Sequence, residues 1–406
     1  MRIGRTLPPA ASPIYLRDII NGIKGVFRGK EELERFKSEI KEYFGMKHCF
    51  LFSSGKAALT LILKALHKIY PGRDEVLIPA FSCYSVPSAI VRAGLKVRLC
   101  DIHPDTLDFD FEQLAMSLQR SADGLLAIIP THLFGFPADV ARIRNLIDDL
   151  KITIVEDAAQ AMGAEWNGKK LGTLGDVNFF SLGRGKALSA VEGGIILTDR
   201  DDIAEKIRSQ LALIPDYSIF ALMRLFFMTI SLTLFLHPRL FWLPKSFPFL
   251  KLGETIYDPN FNIRKMSAFQ AGLANSWQEK VKKFKKIRST NSRHLVSCLQ
   301  PSSTYYLLPI SYQLNNLIRF PIRIDDEGLR MKVLRRSYQM GLGIMPTYPD
   351  SINGIPEIKD VFQGQRFPMA KEVSHNLITL PIHSFVAQKD EEQIAAMISQ
   401  ITHYRL

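Results

Sequence analysis

The sequence predicts an α/β fold, a doubly wound and mostly parallel sheet followed by a smaller C-terminal α/β lobe. Up to about residue 200, apolar runs of strand length alternate with stretches of helical periodicity. After residue 265 the pattern changes to a long basic helical stretch, a strand-like segment and two further helices. We therefore divide the chain of 406 residues into a large domain with an N-terminal arm (1–216), a hydrophobic insert (217–253), and a linking helix with a small domain (254–406).

The first elements are a Pro-rich arm, a charged helix and a strand-to-helix junction. Apolar residues recur at helical spacing in GKEELERFKSEIKEYFG, and Gly45 is a typical helix stop. The apolar segment CFLF then runs through Ser53, Ser54 and Gly55 into the helical segment AALTLILKALHKIY. This predicts a strand that opens directly into a helix.

The strands of the main sheet are predicted from short apolar runs bounded by turn residues. These runs are EVLIP (75–79), KVRLCD (96–101), LLAIIP (125–130), ITIVED (152–157), VNFFS (177–181) and GIILTD (194–199). Helical segments such as SVPSAIVRAG and ADVARIRNLIDDLK lie between several of them. In the small lobe we expect one long helix from SAFQAGL to SCL, a strand in NLIRFPIRI, a helix with Leu329 and Val333, and a last helix near 390–402.

Composition narrows the classes of partner. The net charge of +12 favours anionic partners, but does not choose among nucleotides, phosphates, nucleic acid and an acidic membrane surface. We expect no nucleic acid, because the basic stretch KVKKFKKIR stands without a recognition motif. The four cysteines form no Cys-x-x-Cys pair, so we expect no metal site and a reducing compartment. With no secretory signal and no spanning run, we expect a cytoplasmic protein, in one interpretation peripheral to the inner face of the membrane.

The insert, residues 217–253, contains no Asp or Glu, and its apolar core LFFMTISLTLFL is too short to span a bilayer. Two interpretations stay open. The insert packs on the lobe or on a dimer partner, or it lies on a membrane surface through Phe226, Phe227, Phe235, Phe241 and Trp242.

Candidate site residues follow the strand ends, where open α/β sheets bind ligands. Gly55 and Lys56 open a helix whose free N–H groups suit a phosphate, although the segment lacks the spacing of a Walker motif. Asp157 ends the run ITIVED, and such a carboxylate holds a heteroaromatic nitrogen protonated or, alternatively, caps a helix.

The glycine-rich segment after VNFFS contains Ser181 and Lys186. A lysine there could form a Schiff base, although a lone lysine is more often a solvated surface charge. Phe81 and Tyr84 follow the strand EVLIP, where an aromatic ring could stack on a cofactor. His132, in THLFG, is expected to be structural.

Taken together and in order, these segments resemble the DegT/DnrJ/StrS family of sugar aminotransferases, pyridoxal phosphate enzymes of fold type I. The resemblance covers residues 30 to 212. It rests on the segments FSSGKAAL, VEDAAQAMG and SLGRGKALSAVEGG and on the spacing between the last two. It resumes more weakly from residue 262 through MSAFQA and LPIHSF.

The resemblance implies a pyridoxal 5'-phosphate site. In it Lys186 binds the cofactor covalently and acts as base and acid, Asp157 holds the ring nitrogen, and Gln160 contacts the ring hydroxyl. Gly55 and Ser181 bind the phosphate. The stacking aromatic falls near Cys83 in the family pattern, so Phe81 and Tyr84 are both candidates.

Three departures from the family pattern concern the site. Lys56 stands where the family commonly has Thr or Ser. In the family, an asparagine shortly before the Met-Ser-x-x-Gln-Ala segment reaches the phosphate in the neighbouring subunit. Asn262 is the nearest match here, but it lies one residue too far from Met266, and Asn260 is the alternative. The insert replaces a shorter polar linker.

The implied function is transfer of an amino group, from glutamate, to a nucleotide-linked keto-sugar in cell-envelope or polysaccharide biosynthesis, by a homodimer. Three alternatives stay open. One is a dehydratase, which in the family carries histidine in place of the lysine. The others are a catalytically silent regulatory or scaffold subunit, and an aminotransferase acting on a lipid-bearing substrate at the membrane surface.

Overall fold

The computed structural model describes residues 2–148, 150–250, 252–253, 255–299, 302, 304–308 and 314–403. Its strands are β1 (His48–Phe52), β2 (Glu75–Pro79), β3 (Lys96–Cys100), β4 (Leu125–Ile128), β5 (Thr153–Asp157), β6 (Glu165–Trp166), β7 (Lys169–Lys170), β8 (Val177–Ser181), β9 (Gly194–Thr198), β10 (Tyr306–Leu307), β11 (Phe320–Arg323), β12 (Met345–Pro346) and β13 (Leu377–Leu380).

The α-helices in the same part of the chain are α1 (Leu16–Arg28), α2 (Lys30–Phe44), α3 (Gly55–Ile69), α4 (Ser85–Arg92), α5 (Phe111–Arg120), α6 (Val140–Ile147), α7 (Asp201–Leu211), α8 (Ile219–Phe235), α9 (Pro238–Lys245), α10 (Ala268–Leu273), α11 (Trp277–Cys298), α12 (Glu327–Met340), α13 (Pro368–Asn376) and α14 (Gln388–His403).

Seven strands form the main sheet, in the order β1-β9-β8-β5-β4-β2-β3. Neighbours from β8 to β3 run parallel, whereas β9 runs antiparallel to both β8 and β1. The direction of β9 therefore makes β1 run the same way as β8. The carboxyl ends of β1, β2, β5 and β8 consequently meet at one edge, and the expected mostly parallel sheet is confirmed.

Helices cover both faces of this sheet. Successive strand residues point to opposite faces, and alternate residues of β5 and β8 accordingly join different hydrophobic clusters. Val155 and Phe179 pack with α3 on one face, whereas Ile154 packs with α5 and α6, and Phe180 with α2, on the other. Burial on both faces explains why these strands read as continuous apolar runs rather than alternating ones.

The small lobe is an antiparallel sheet in the order β10-β11-β13-β12, packed against α12 and α14. The expected smaller α/β lobe is thus present, and α11 leads into it from the large domain. The strand expected in NLIRFPIRI is β11, and the helix expected near 390–402 is α14.

Two helical expectations were incomplete. Helix α1 was not predicted, because Gly22 and Gly25 interrupt its apolar pattern where α10 packs against it. A methyl group at Gly22 would lie 2.8 Å from the ring of Phe269. The long basic helix expected from 267 to 299 is broken into α10 and α11 at Ser276, which has a φ of 55°.

The hydrophobic insert forms two helices, α8 and α9, anchored at several points. The ring of Phe226 packs 5.9 Å from that of Phe269, and Thr6 N–H of the N-terminal arm donates to Pro238 O at 2.9 Å. Within the described residues, no single helix is both long and apolar enough to cross a bilayer. The pair α8 and α9 reaches that length and composition together, with a bend of 119° between them.

The N-terminal arm is fastened to the small lobe by a buried histidine. His383 Nε2 contacts Pro8 O at 2.7 Å, and Phe385 N–H lies 3.3 Å from Nδ1. If Nδ1 accepts from Phe385, the proton of the neutral ring is on Nε2, which donates to Pro8. Burial lowers the pKa of His383 from 6.5 to about 4.

This histidine should make the fold sensitive to acid. Between pH 6.5 and 4, His383 is protonated in the unfolded chain but stays neutral in the folded chain. The unfolding free energy therefore falls as the pH falls. We expect the unfolding free energy of His383→Gln to fall by about 2–3 kcal/mol less than that of the wild type when the pH is lowered from 7 to 4.5. Urea unfolding at both pH values measures this. The exposed His375→Gln is the control, and an unchanged pH dependence in His383→Gln would refute the assignment.

Candidate active site

A cavity of about 450 Å³ lies at the carboxyl edge of the main sheet and is called here the site cavity. Six of the residues predicted for the site border it, and they come from three separate strand ends: Gly55, Lys56, Asp157, Gln160, Ser181 and Lys186. They meet because β1, β5 and β8 run in the same direction. Their predicted roles stay predictions, but the fold does bring them together.

The N-terminus of α3 forms one wall of the site cavity. Ser54 caps this helix through Oγ, which accepts from Ala57 N–H at 3.1 Å. Gly55 packs closely on the end of β8, because a methyl group there would lie 2.9 Å from Ser181 Cβ. The wall therefore presents helix N–H groups and the hydroxyl of Ser181, which suits an anion.

Lys56 lies beside this wall, but its side chain has partners. Its ammonium group is 3.7 Å from Asp258 Oδ2 and 4.4 Å from the centre of the Phe261 ring. Both partners belong to the segment that follows the insert. Lys56 thus ties this segment to the start of α3 while bordering the cavity.

Asp157 ends β5 and is buried at the floor of the site cavity. Its Oδ1 accepts from Ala159 N–H at 2.9 Å. Burial raises the pKa of Asp157, while the Ala159 hydrogen bond and the positive charge of Lys186 oppose this rise. A buried carboxylate with one backbone donor retains capacity to hold a cationic group of a ligand.

Glu156, one residue earlier, points to the other face of the sheet and is fully buried. It accepts from the backbone of the 172–175 loop, including Leu174 N–H at 2.6 Å, and contacts His132 Nε2 at 2.6 Å. His132 Nδ1 accepts from Ala138 N–H at 2.9 Å, so the ring proton is on Nε2 and donates to Glu156. His132 is therefore a structural residue, as expected.

Gln160 connects the two lobes across the cavity. Its Nε2 donates to Tyr348 Oη at 3.3 Å, and its Oε1 accepts from Phe134 N–H at 3.3 Å. Burial raises the pKa of Tyr348, so the phenol stays protonated. Tyr348 was not among the predicted site residues. Its position two residues after β12 is the only sequence feature that could have indicated it.

Lys186 lies in the loop after β8 and borders the cavity. Its carbonyl oxygen accepts from Ser12 Oγ, so the N-terminal arm holds this loop. Among the described residues, no side chain pairs with the Lys186 amino group. A half-buried, unpaired amine close to a buried carboxylate can act as a nucleophile or a base.

The two aromatic candidates lie outside the cavity lining. Phe81 is buried with its ring 5.3 Å from that of Tyr348, and Tyr84 Oη donates to Asp350 O at 3.0 Å. Burial raises the pKa of Tyr84 to about 12. Cys83 borders the cavity instead. The turn after β2 directs Phe81 and Tyr84 toward the small lobe, and the predicted stacking of one of them on a cofactor stays a prediction.

Asn262 is exposed and does not border the site cavity. Its predicted contact with a neighbouring subunit's phosphate therefore stays a prediction. Residues that the sequence analysis did not select do border the cavity, namely Glu192 and, from the insert and its exit, Met228 and Thr255. Glu192 accepts from Tyr217 Oη at 2.6 Å, which links the site to the start of the insert.

Comparisons with known proteins concern the family and the fold of this chain. The profile of the DegT/DnrJ/EryC1/StrS aminotransferase family matches residues 16–399. GDP-perosamine synthase of Vibrio cholerae is 33% identical over 192 residues, which are 47% of this chain and 51% of the relative. GDP-4-keto-6-deoxy-D-mannose 3-dehydratase of Yersinia pseudotuberculosis is 31% identical over 205 residues, 48% of this chain and 51% of the relative. The chain thus spans about half the length of these curated relatives.

A solved structure, Helicobacter pylori PseC, an aminotransferase involved in the biosynthesis of pseudoaminic acid, superposes with a TM-score of 0.78 at 16% identity. The match covers 98% of this chain and 100% of that one. At this identity the likeness establishes the fold, which is that of fold type I aminotransferases.

The neighbours Glu156 and Asp157 should respond differently to loss of charge. Glu156→Gln leaves a buried donor facing an amide nitrogen and should lower the unfolding free energy by about 3 kcal/mol. Asp157→Asn keeps an oxygen for Ala159 and relieves a buried charge, so we expect a change of less than about 1 kcal/mol. Urea unfolding of both variants tests this. Equal losses would show that Asp157 is as structural as Glu156.

Proposed function

Because this chain belongs to the DegT/DnrJ/EryC1/StrS aminotransferase family, we propose that it is a pyridoxal phosphate-dependent aminotransferase that moves an amino group from glutamate to a keto-sugar. The observation that carries the proposal is the unpaired Lys186 in one cavity with the buried carboxylate of Asp157.

The cavity walls fit the cofactor. The close contact of Gly55 with Ser181 leaves the helix N–H groups and the Ser181 hydroxyl facing the space where a phosphate would bind. Asp157 would hold the ring nitrogen, Gln160 would contact the ring hydroxyl, and Lys186 would bind the cofactor covalently. When bound, pyridoxal phosphate supplies an electron-withdrawing ring that stabilises a carbanion.

The chain's own residues supply the proton chemistry and the positioning. Lys186 Nζ takes a proton from the amino donor and later returns one to the acceptor carbon, as general base and then acid. Burial raises the pKa of Asp157, and the Ala159 N–H and the positive charge of Lys186 oppose that rise, so both favour the charged form of this carboxyl at the cavity floor. The arm residue Ser12 holds the Lys186 loop against the body of the protein.

The acceptor is proposed to be a keto-sugar carried on a phosphate-bearing group. The name of GDP-perosamine synthase supports a nucleotide carrier for that relative, and the net charge of +12 suits an anionic substrate. A dehydratase is disfavoured because Lys186 occupies the position at which those family members carry histidine. The silent-subunit alternative is disfavoured because Asp157, Gln160, Ser181 and Lys186 all border one cavity.

Partners complete the proposal. A homodimer follows from the family and from Asn262, which is exposed and free to face a second subunit. Contact of the insert with the inner surface of a membrane is favoured by its exposed apolar side chains. Phe220 is 78% exposed, Phe227 60% and Phe249 75%, and the described part of the insert has basic but no acidic residues.

Lys186→Ala should abolish cofactor attachment and lower the rate of amino transfer about 10³-fold. Borohydride reduction of the protein with added pyridoxal phosphate, followed by peptide mapping, measures attachment. The exposed Lys169→Ala serves as the matched control. A reduced adduct on another lysine in wild-type protein, with turnover intact in Lys186→Ala, would refute the assignment.

The insert should bind anionic lipid vesicles. Replacing Phe220, Phe227 and Phe249 together with Ser should lower the fraction that floats with phosphatidylglycerol vesicles about tenfold, because their exposed area supplies the apolar contact. The control replaces Leu213 and Val361, equally exposed but outside the insert, with Ser. Equal flotation of both variants would contradict membrane contact.

A further inference from the structure

The insert forms the walls of an open apolar cavity of about 440 Å³ beside the site cavity. Its walls come from α8, α9 and the chain that follows them, and include Leu232, Phe235, Leu236, Phe241, Leu250 and Leu252. Arg184 and Met228 border both this apolar cavity and the site cavity, so the two are contiguous. Arg184, which lies two residues before Lys186 in the sequence, is therefore at the boundary between the apolar cavity and the cavity that Lys186 borders.

Two arginines lie at the polar end of this space. Arg184 and Arg319, with Ser12 and Ser189, border a third cavity of about 300 Å³ that also shares Leu236 with the apolar cavity. The guanidinium of Arg319 is close to the Lys186 loop, since a methyl group at Gly185 would lie 3.6 Å from its Nη2. In the part of the chain that the structure describes, neither arginine has a carboxylate within 4 Å.

Unpaired guanidinium groups at a cavity mouth indicate an anionic ligand, because arginine binds phosphate oxygens through several N–H donors. The apolar walls beyond them indicate a hydrocarbon ligand. One ligand satisfies both features if a phosphate joins a polar group on the site side to a hydrocarbon chain on the insert side. A nucleotide carrier would supply phosphate for the two arginines, but it has no hydrocarbon chain to contact the leucine and phenylalanine walls.

We propose that the acceptor sugar is carried on a lipid phosphate. This deepens the proposed function and rests on it. The sugar lies in the site cavity near Lys186, the phosphate contacts Arg184 and Arg319, and the first part of the chain fills the apolar cavity under α8 and α9. The apolar walls of this cavity are open to solvent, and a bound hydrocarbon chain would bury them.

Calorimetric titration of the cofactor-loaded enzyme tests the proposal, with decyl phosphate as the probe and inorganic phosphate as the reference. We expect decyl phosphate to bind at least about tenfold tighter, because its chain enters the apolar cavity. Leu236→Glu, on the cavity wall, should abolish this preference. The matched control Leu234→Glu, two residues earlier in α8, 50% exposed and outside the cavity lining, should retain it. Arg319→Gln should weaken binding of both probes.

Three results would overturn the lipid-carrier proposal. Decyl phosphate could bind no tighter than inorganic phosphate, or Leu236→Glu and Leu234→Glu could bind it equally. Binding of soluble dihexanoylphosphatidylcholine at least as tightly as decyl phosphate would assign the cavity to bilayer lipid instead of a substrate. Borohydride trapping of the cofactor on Lys186 in the same samples reports the proposed function separately. Trapping without tighter binding therefore refutes only the lipid carrier, whereas absence of trapping refutes the aminotransferase itself.

Discussion

The end of β5 places two neighbouring carboxylates on opposite faces of the sheet, and much of the structure depends on this arrangement. Strand alternation sends Glu156 into the body of the protein, where it fastens the 172–175 loop and His132. The same alternation sends Asp157 into the site cavity. The loop that Glu156 holds leads directly into β8, which carries Ser181 and, beyond it, Lys186. Glu156 thus fixes the loop that leads into β8, and the parallel pairing of β5 with β8 brings the end of β8 beside Asp157.

Much of the main sheet could be predicted from sequence because its strands are buried on both faces and read as short apolar runs. The gathering of Gly55, Asp157, Ser181 and Lys186 followed from strand direction, which needs no side-chain detail. Helix α1 could not be predicted because it contacts α10 through glycines rather than through an apolar stripe. The break at Ser276 could not be predicted either, because nothing in the amino-acid composition around this residue indicates its positive φ.

The positions of Phe81, Tyr84 and Tyr348 could not be read from the sequence. The packing of the small lobe decides which side chains of the turn after β2 face the cavity. The small-lobe residues concerned lie more than 250 positions further along the chain. Phe81 and Tyr84 both pack toward Tyr348, and Tyr348 in turn receives a hydrogen bond from Gln160. Sequence patterns describe single elements well, but contacts between lobes only appear once the chain has folded.

The N-terminal arm has a consequence for the order of assembly. Arg5 pairs with Asp390 at 2.7 Å, Pro8 accepts from His383, and Ser12 holds the carbonyl of Lys186. Residues of the arm therefore dock on residues of the small lobe that are synthesised much later, and contacts so distant in sequence form late. The arm that contacts the Lys186 loop through Ser12 is itself fastened by the small lobe, so its docked position depends on a small lobe that has folded. Folding of the small lobe thereby supports a loop of the large domain.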